Sequence, residues 1–271
     1  MSENRNIMHL HEGMTKRDDA KIIRGHVVAY VKGTNTVLFE KDNKVILPGS
    51  TFTALKHFKN LQVPVMTETY NHSLGLDNTV SVTDAEERTD SYIWLFAVGV
   101  GGCGSEASQV KDVDYTKWIA PGELVPFRYP FTNNDLNLDL RKKYFGRKTN
   151  ETSDRIAYYF KGFDGIQFKQ QYLDGTAIDS NVYESNKSDE VESFVEIKMS
   201  ITNKDCREFF AAHEGLNAAK INTISLLEAV EKEIDGIKYY QNIRPVTKLN
   251  FPTEALVDET KGIDIVYSLF Y

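Results

Sequence analysis

The stretch ESFVEIKMSI, Glu192 to Ile201, alternates strictly over its second half. Val195, Ile197, Met199 and Ile201 fall on one side of an extended chain, and Glu196, Lys198 and Ser200 on the other. Side chains separate in this way at the strand period of two. One apolar and one solvated face mark an antiparallel strand that packs on a core from one side only.

Working outward, RIAYYFKGFD (Arg155 to Asp164) and IQFKQQYLDG (Ile166 to Gly175) read as two more strands, punctuated at Asp164-Gly165 and Asp174-Gly175. On the other side, TNKDCREFFAAHEG predicts a helix capped by Thr202 or Asn203. Cys206, Phe209, Phe210 and His213 would share one face, and Gly215 sits where it should stop. INTISLLEAVEKEIDG, Ile221 to Gly236, admits two readings. Its start is β-branched, but Leu227, Val230 and Ile234 have helical spacing and Ser225 with Glu228 matches a capping box. IKYYQNIRPVTKLNF and GIDIVYSLFY read as strands, and the apolar ending predicts a C-terminus docked in a sheet.

The first half carries weaker versions of the same signals. His26 to Val31 is strand-like, followed by a turn at Gly33-Thr34-Asn35. Val37 to Glu40 and Lys44 to Leu47 flank Asp42-Asn43, a hairpin signal. STFTALKHFKN can form a short helix, and Val63 to Asp90 reads as a long irregular connection. SYIWLFAVGVGGCGSE, Ser91 to Glu106, is a buried strand running into a glycine-rich loop. YTKWIAPGELVPFRYPF is extended but proline-broken.

Strand signals dominate, so the expected fold is mainly β (α+β): an antiparallel β-sandwich-like body with one or two short helices and long ordered loops. Residues 1–20 read as a polar N-terminal arm. Residues 21–131 form a β-rich subdomain, and 154–271 an antiparallel β subdomain with one or two helices. The composition shift at 132–153 marks the boundary, unless the whole is a single domain.

Composition narrows the function. The 271 residues are 41% hydrophobic and 26% charged, enough for a sizeable core. Lys and Arg number 32 against 39 Asp and Glu, a net charge of −7 that argues against a polyanion-binding surface. Nucleic acid is therefore not expected as a partner. Cys103 and Cys206 are too far apart in sequence for metal-ligand spacing or a disulfide framework, which suits a reducing compartment. MSENRNIMHLHEGM lacks the apolar core of a signal peptide, and the longest apolar run, Ile93 to Val100, is too short to span a bilayer. No membrane association is expected.

The chemistry-bearing motifs are sparse. GVGGCGSE has no lysine to reach a phosphate, and Glu106 would repel an anion. Cys103 as a nucleophile would need a base that the sequence does not place. The loop reads as a packing or contact element, where small residues permit close approach. His9 and His11 in HLHEG make a weak metal pair, and His213-Glu214 is not followed by a second histidine at zinc spacing. No catalytic, cofactor-binding or metal residue is singled out, and no cofactor is expected. The one basic cluster is DLRKKYFGRK, where Arg141, Lys142, Lys143, Arg147 and Lys148 surround Tyr144 and Phe145. On an acidic chain such a patch suits an acidic protein surface better than a nucleic acid. Trp118, Phe127 and Tyr129 join it as candidate contact aromatics.

Several phrases together resemble structural proteins of large tailed bacteriophages: VLFEKDNKVILPGSTFTALKHF, TYNHSLGLDNT, WLFAVGVGGCGSE, YTKWIAPGELVPFRY, RIAYYFKGFD and LNFPTEALVDETKGIDIVYSLFY. The resemblance implies a non-enzymatic virion component, made and assembled in the bacterial cytoplasm, of neck, tail or baseplate type. It implies partners in its own copies, as a homo-oligomeric ring, and in other virion proteins. Two alternatives stand beside it: a capsid-decorating or receptor- or glycan-binding phage protein using Trp94 or Trp118, and a cytoplasmic hydrolase using Cys103 or a carboxylate pair.

Overall fold

A computed structural model describes residues 24–45, 70–77, 90–114, 116–132, 135–150, 152–172, 176–177, 191–256 and 262–270. The expected N-terminal arm, the expected helix at 50–60, the His9–His11 pair and the Asp174-Gly175 turn lie outside these residues.

The strands in chain order are β1 (Arg24–Val31), β2 (Val37–Asp42), β3 (Lys44–Val45), β4 (Ser91–Gly99), β5 (Leu124–Val125), β6 (Tyr144–Thr149), β7 (Ile156–Gly162), β8 (Gly165–Tyr172), β9 (Val191–Ile201), β10 (Lys220–Ile234), β11 (Ile237–Pro245), β12 (Thr247–Ala255) and β13 (Ile263–Phe270). Short helices α1 (Tyr70–Leu74), α2 (Leu138–Arg141) and α3 (Arg207–His213) lie between them. Among the described residues all strand pairing is antiparallel.

The strands form two sheets packed as a sandwich. A five-stranded sheet runs β2-β1-β13-β9-β8. An eight-stranded sheet runs β3-β12-β10-β4-β7-β6, with β11 on β10 and β5 on β4. Val27, Ala29, Ile197, Met199, Ile265 and Tyr267 of the smaller sheet share one core with Phe96, Val98, Ile224, Leu226, Leu249 and Phe251 of the larger. The alternation of β9 is thus realised, with its apolar side against that core. The far face of the larger sheet is buried too. Leu95, Ala97, Leu227, Ala229, Phe145 and Phe160 pack there under Tyr70, Leu74, Leu76, Ile119 and Leu124.

This double burial resolves the ambiguous segment. Residues 221–236 are not a helix: Ile221 to Val230 are all buried in β10, the central strand of the larger sheet. A strand covered on both faces has no polar side, so its apolar residues also satisfy a helical spacing by coincidence. Ser225 is no cap residue; its hydroxyl bonds the Thr247 carbonyl. The ribbon turns at Asp235-Gly236, where both residues have positive φ, 52° and 74°. That is the backbone of a type I′ turn, which matches strand twist. The chain then returns along β10 as β11 and β12, with register shifts near Glu228 and Ile221.

The expected hairpin at Asp42-Asn43 is a crossover instead. β2 pairs with β1, whereas β3 pairs with β12, so Asp42-Asn43 carries the chain from one sheet to the other. Likewise β7 pairs with β4 and β6 while β8 pairs with β9, so Asp164-Gly165 also links the layers. A turn dipeptide reverses the chain locally, but which edge accepts the next strand depends on the core. The helix after β9 is present but starts at Arg207, because Cys206 before it is left-handed (φ 65°). The Val63 to Asp90 connection contains α1. Both sheets draw strands from either side of 132–153: β1 pairs with β13, and β4 with β10.

Candidate functional site

The basic aromatic run folds in on itself. The Asn137 side chain caps α2 by accepting from the Leu140 N–H at 3.0 Å. β6 then sends Tyr144 into the core between the sheets and Phe145 into the outer core. Arg147 is held between two carboxylates: its Nε donates to Asp135 at 3.1 Å, and its guanidinium pairs with Asp77. Arg141 lies 3.7 Å from the same Asp135. These groups, with Tyr158, Tyr239 and Gln241, line a cleft of about 230 Å³. The arginines are neutralised from within the chain, and Lys142 and Lys143 are the exposed cations of the candidate set.

The candidate aromatics are also structural. Phe127 is fully buried, edge-on to Phe96 with ring centroids 5.0 Å apart. Tyr129 is buried against Phe209 and His213 of α3. Trp118 is half-buried and stacks on Tyr70 at 4.5 Å. None of the three offers a free ring to a partner. Different residues carry the apolar surface: Phe168 is 62% exposed, Ile166 57%, Tyr92 50% and Ile234 44%. Sequence reading missed them because the pattern of β8 is the same whether or not its apolar face is covered.

One of these, Ile166, lines a groove of about 460 Å³. It opens where β4 and β7 part after the pairs Leu95–Gly162 and Phe96–Lys161. Trp94, Phe145, Phe163, Ile166 and Tyr240 line it, with Lys142, Lys238, Glu231 and Glu233 at its margin. Trp94 sits at a register shift in the β4–β10 ladder, which puts it on the same side as Leu95. Tyr92 packs edge-on against Trp94 at 5.8 Å. The Glu231 carboxylate accepts from the Tyr240 hydroxyl at 2.6 Å and from Lys238 at 2.9 Å.

The glycine loop is a packing element. The Gly102 N–H donates to the Asn222 side-chain oxygen at 2.7 Å, and the Lys111 N–H to the Gly102 carbonyl at 2.9 Å. A Cβ on Gly102 would run into the Asn222 backbone carbonyl and the Thr223 hydroxyl of β10. Cys103 is buried, its thiol 3.3 Å from the carbonyls of Ala107 and Phe251. Gly102→Ala is expected to destabilise the protein by about 1–3 kcal/mol through overpacking, measurable by urea unfolding. A change below about 0.5 kcal/mol would show that the loop yields freely.

A buried ionic cluster joins the layers. Lys161 of β7 donates to Asp205 at 2.9 Å and to the Ser200 carbonyl at 2.7 Å. Asp205 also accepts from the Tyr144 hydroxyl and the Thr202 N–H, both at 2.8 Å. Burial, then the Asp205 charge, pushes the Cys206 thiol and the Tyr144 phenol above their ordinary ranges. Burial raises Tyr70 and Tyr267 as well, and burial with the Glu231 contact raises Tyr240.

A phenol whose folded pKa lies above its unfolded value of about 10 favours the folded state fully below that pH. The contribution fades as pH climbs from there toward the folded pKa. Alkaline unfolding is therefore expected above about pH 10. In a combined absorbance and circular-dichroism titration, tyrosinate from these residues should appear together with loss of structure; independent early titration would contradict the burial argument.

Among the described residues no three His, Cys, Asp or Glu side chains converge as a metal site, and no helix is long and apolar enough to cross a membrane. Comparison with protein-family models, with curated proteins and with solved structures finds no match.

Proposed function

We propose that this protein is a non-enzymatic structural component of a tailed-phage virion, of neck, tail or baseplate type, acting through contacts with its own copies and with other virion proteins. The observation that carries the reading is the apolar surface at the β8 end of the sandwich. Ile166 and Phe168 stand more than half exposed beside an aromatic groove whose margin holds two lysines and two glutamates. Apolar area rimmed by balanced charge suits a protein partner. The phrase-level resemblance to phage structural proteins supplies the biological setting. Its test is mass spectrometry of purified particles from cells producing this chain. Peptides at constant stoichiometry through particle purification are expected, and their absence from mature particles overturns the reading.

The receptor- or glycan-binding alternative draws on Trp94 in the groove, with Tyr92 beside it. Glycan-array binding that is lost in Trp94→Ala, from a chain absent from assembled particles, would favour that reading instead.

A further inference from the structure

We propose that the cleft between β6 and β11 binds one ring of a neutral sugar, with the Gln241 amide as its main polar contact. The inference goes beyond the protein-contact reading above and does not rest on it.

The cleft follows from how the larger sheet is wound. β6, β7, β4, β10 and β11 pair in that order, each antiparallel to the next. The sheet curls until β6 and β11, the first and last of the five, come into contact. Between them lies the cleft of about 230 Å³, with Tyr144 to Arg147 on one side and Ile237 to Gln241 on the other. That is below the roughly 300 Å³ at which sites for drug-sized ligands begin, and it suits a single ring.

The polar groups of the cleft fall into two sets. The first is spent within the protein. Asp135 accepts from the Leu136 N–H at 2.8 Å, from the Arg147 Nε at 3.1 Å and from the Tyr158 hydroxyl. Asp77 accepts from Arg147 and from the Thr149 hydroxyl, the latter at 2.7 Å. Lys238 is held by Glu231 at 2.9 Å. The second set is unspent. Gln241 is only 6% exposed, yet its side-chain amide has no hydrogen-bond partner among the described residues. The Tyr239 hydroxyl beside it has none either. A buried amide without a partner destabilises a fold, and a ligand in the cleft removes that defect.

These groups select the ligand. Two arginines face two aspartates, and Lys238 is already paired, so the cleft has no net charge to draw an ion. An anion would meet Asp77 and Asp135, and a cation would meet Arg141 and Arg147. An apolar molecule would leave the Gln241 amide unpaired. A polyol satisfies it, because the amide presents a donor and an acceptor side by side and adjacent hydroxyls can answer both. Arg141, 3.7 Å from Asp135, keeps N–H groups to donate to a further oxygen. Phe145 and Tyr240, edge to face at 4.6 Å, supply the apolar wall for the C–H face of a sugar ring. Solvent reaches the cleft: the side chains of Asp77, Arg147 and Asp135 are 30%, 31% and 32% exposed.

The test is saturation-transfer NMR on the full chain, with glucose, galactose and N-acetylglucosamine as separate probes. At least one is expected to take up saturation, with a dissociation constant on the order of millimolar, the scale for so few contacting atoms. Gln241→Leu should weaken binding at least about tenfold, because the hydroxyls then lose their partner. The same variant should melt at an unchanged or higher temperature, since the amide has no partner within the protein to lose. Trp94→Ala should keep the signal, since Trp94 lines the neighbouring groove and not this cleft. Absence of saturation in all three sugars, a signal that survives Gln241→Leu, a signal lost only in Trp94→Ala, or a Gln241→Leu protein that melts lower overturns the proposal. Mass spectrometry of particles is indifferent to each of these outcomes, so the two readings fail separately.

Discussion

Asp205→Ala is expected to cost the fold about 3–5 kcal/mol, because it strands a buried ammonium. Lys161 has 3% of its side chain exposed, and Asp205 none. With the carboxylate gone, Lys161 keeps one carbonyl acceptor, Tyr144 loses its hydroxyl partner, and the Thr202 N–H loses its acceptor. The damage falls between the layers, since Lys161 belongs to the larger sheet and Ser200 to the smaller. Removing both charges should be far gentler: Lys161→Met with Asp205→Leu leaves no buried ion, and such replacements are often neutral. Chemical denaturation of the two single variants and the double variant provides the cycle. A single-variant loss under about 1 kcal/mol would mean that water reaches the site.

Phe96→Ala should cost a similar amount, about 3–5 kcal/mol, for a different reason. Phe96 is fully buried, on the central strand β4 opposite Leu226 and Lys161. Its ring contacts Phe127 at 5.0 Å and stacks over Phe163 at 6.4 Å. Truncation leaves a void in the core shared by both sheets, and strands held by ladders on either side collapse into it only partly. Phe168→Ala provides the contrast, with an expected change within about 0.5 kcal/mol for the isolated chain, since that ring is mostly in water. Equal losses at the two positions in a monomer would refute the burial pattern.

The candidate contact set shows where sequence reading stops. The run from Arg141 to Arg147 looks like a surface patch because its charges are contiguous. In space Arg147 turns to Asp77 and Asp135, which lie 70 and 12 residues away in the chain. Tyr144 and Phe145 go to opposite faces of β6, and both faces are buried. Alternation can say that two neighbours diverge; it cannot say that each side finds a cover. Conversely, Ile166 and Phe168 lie on a strand that the sequence predicts, yet both stand more than half exposed, and nothing in the strand's own pattern says which side is covered.

The chain's own sequence determined the things that are local. Alternation in β9, turn residues at Gly33 and Asp235-Gly236, and close-approach glycines before Cys103 follow from dihedral preference and side-chain period, which neighbours along the chain impose. Tertiary structure alone decided the layer each strand joins, the strand state of Ile221 to Ile234, and which apolar faces stay open. Those outcomes depend on burial against residues remote in sequence, such as β1 on β13 and β4 on β10, and no local pattern encodes which remote surface will be there.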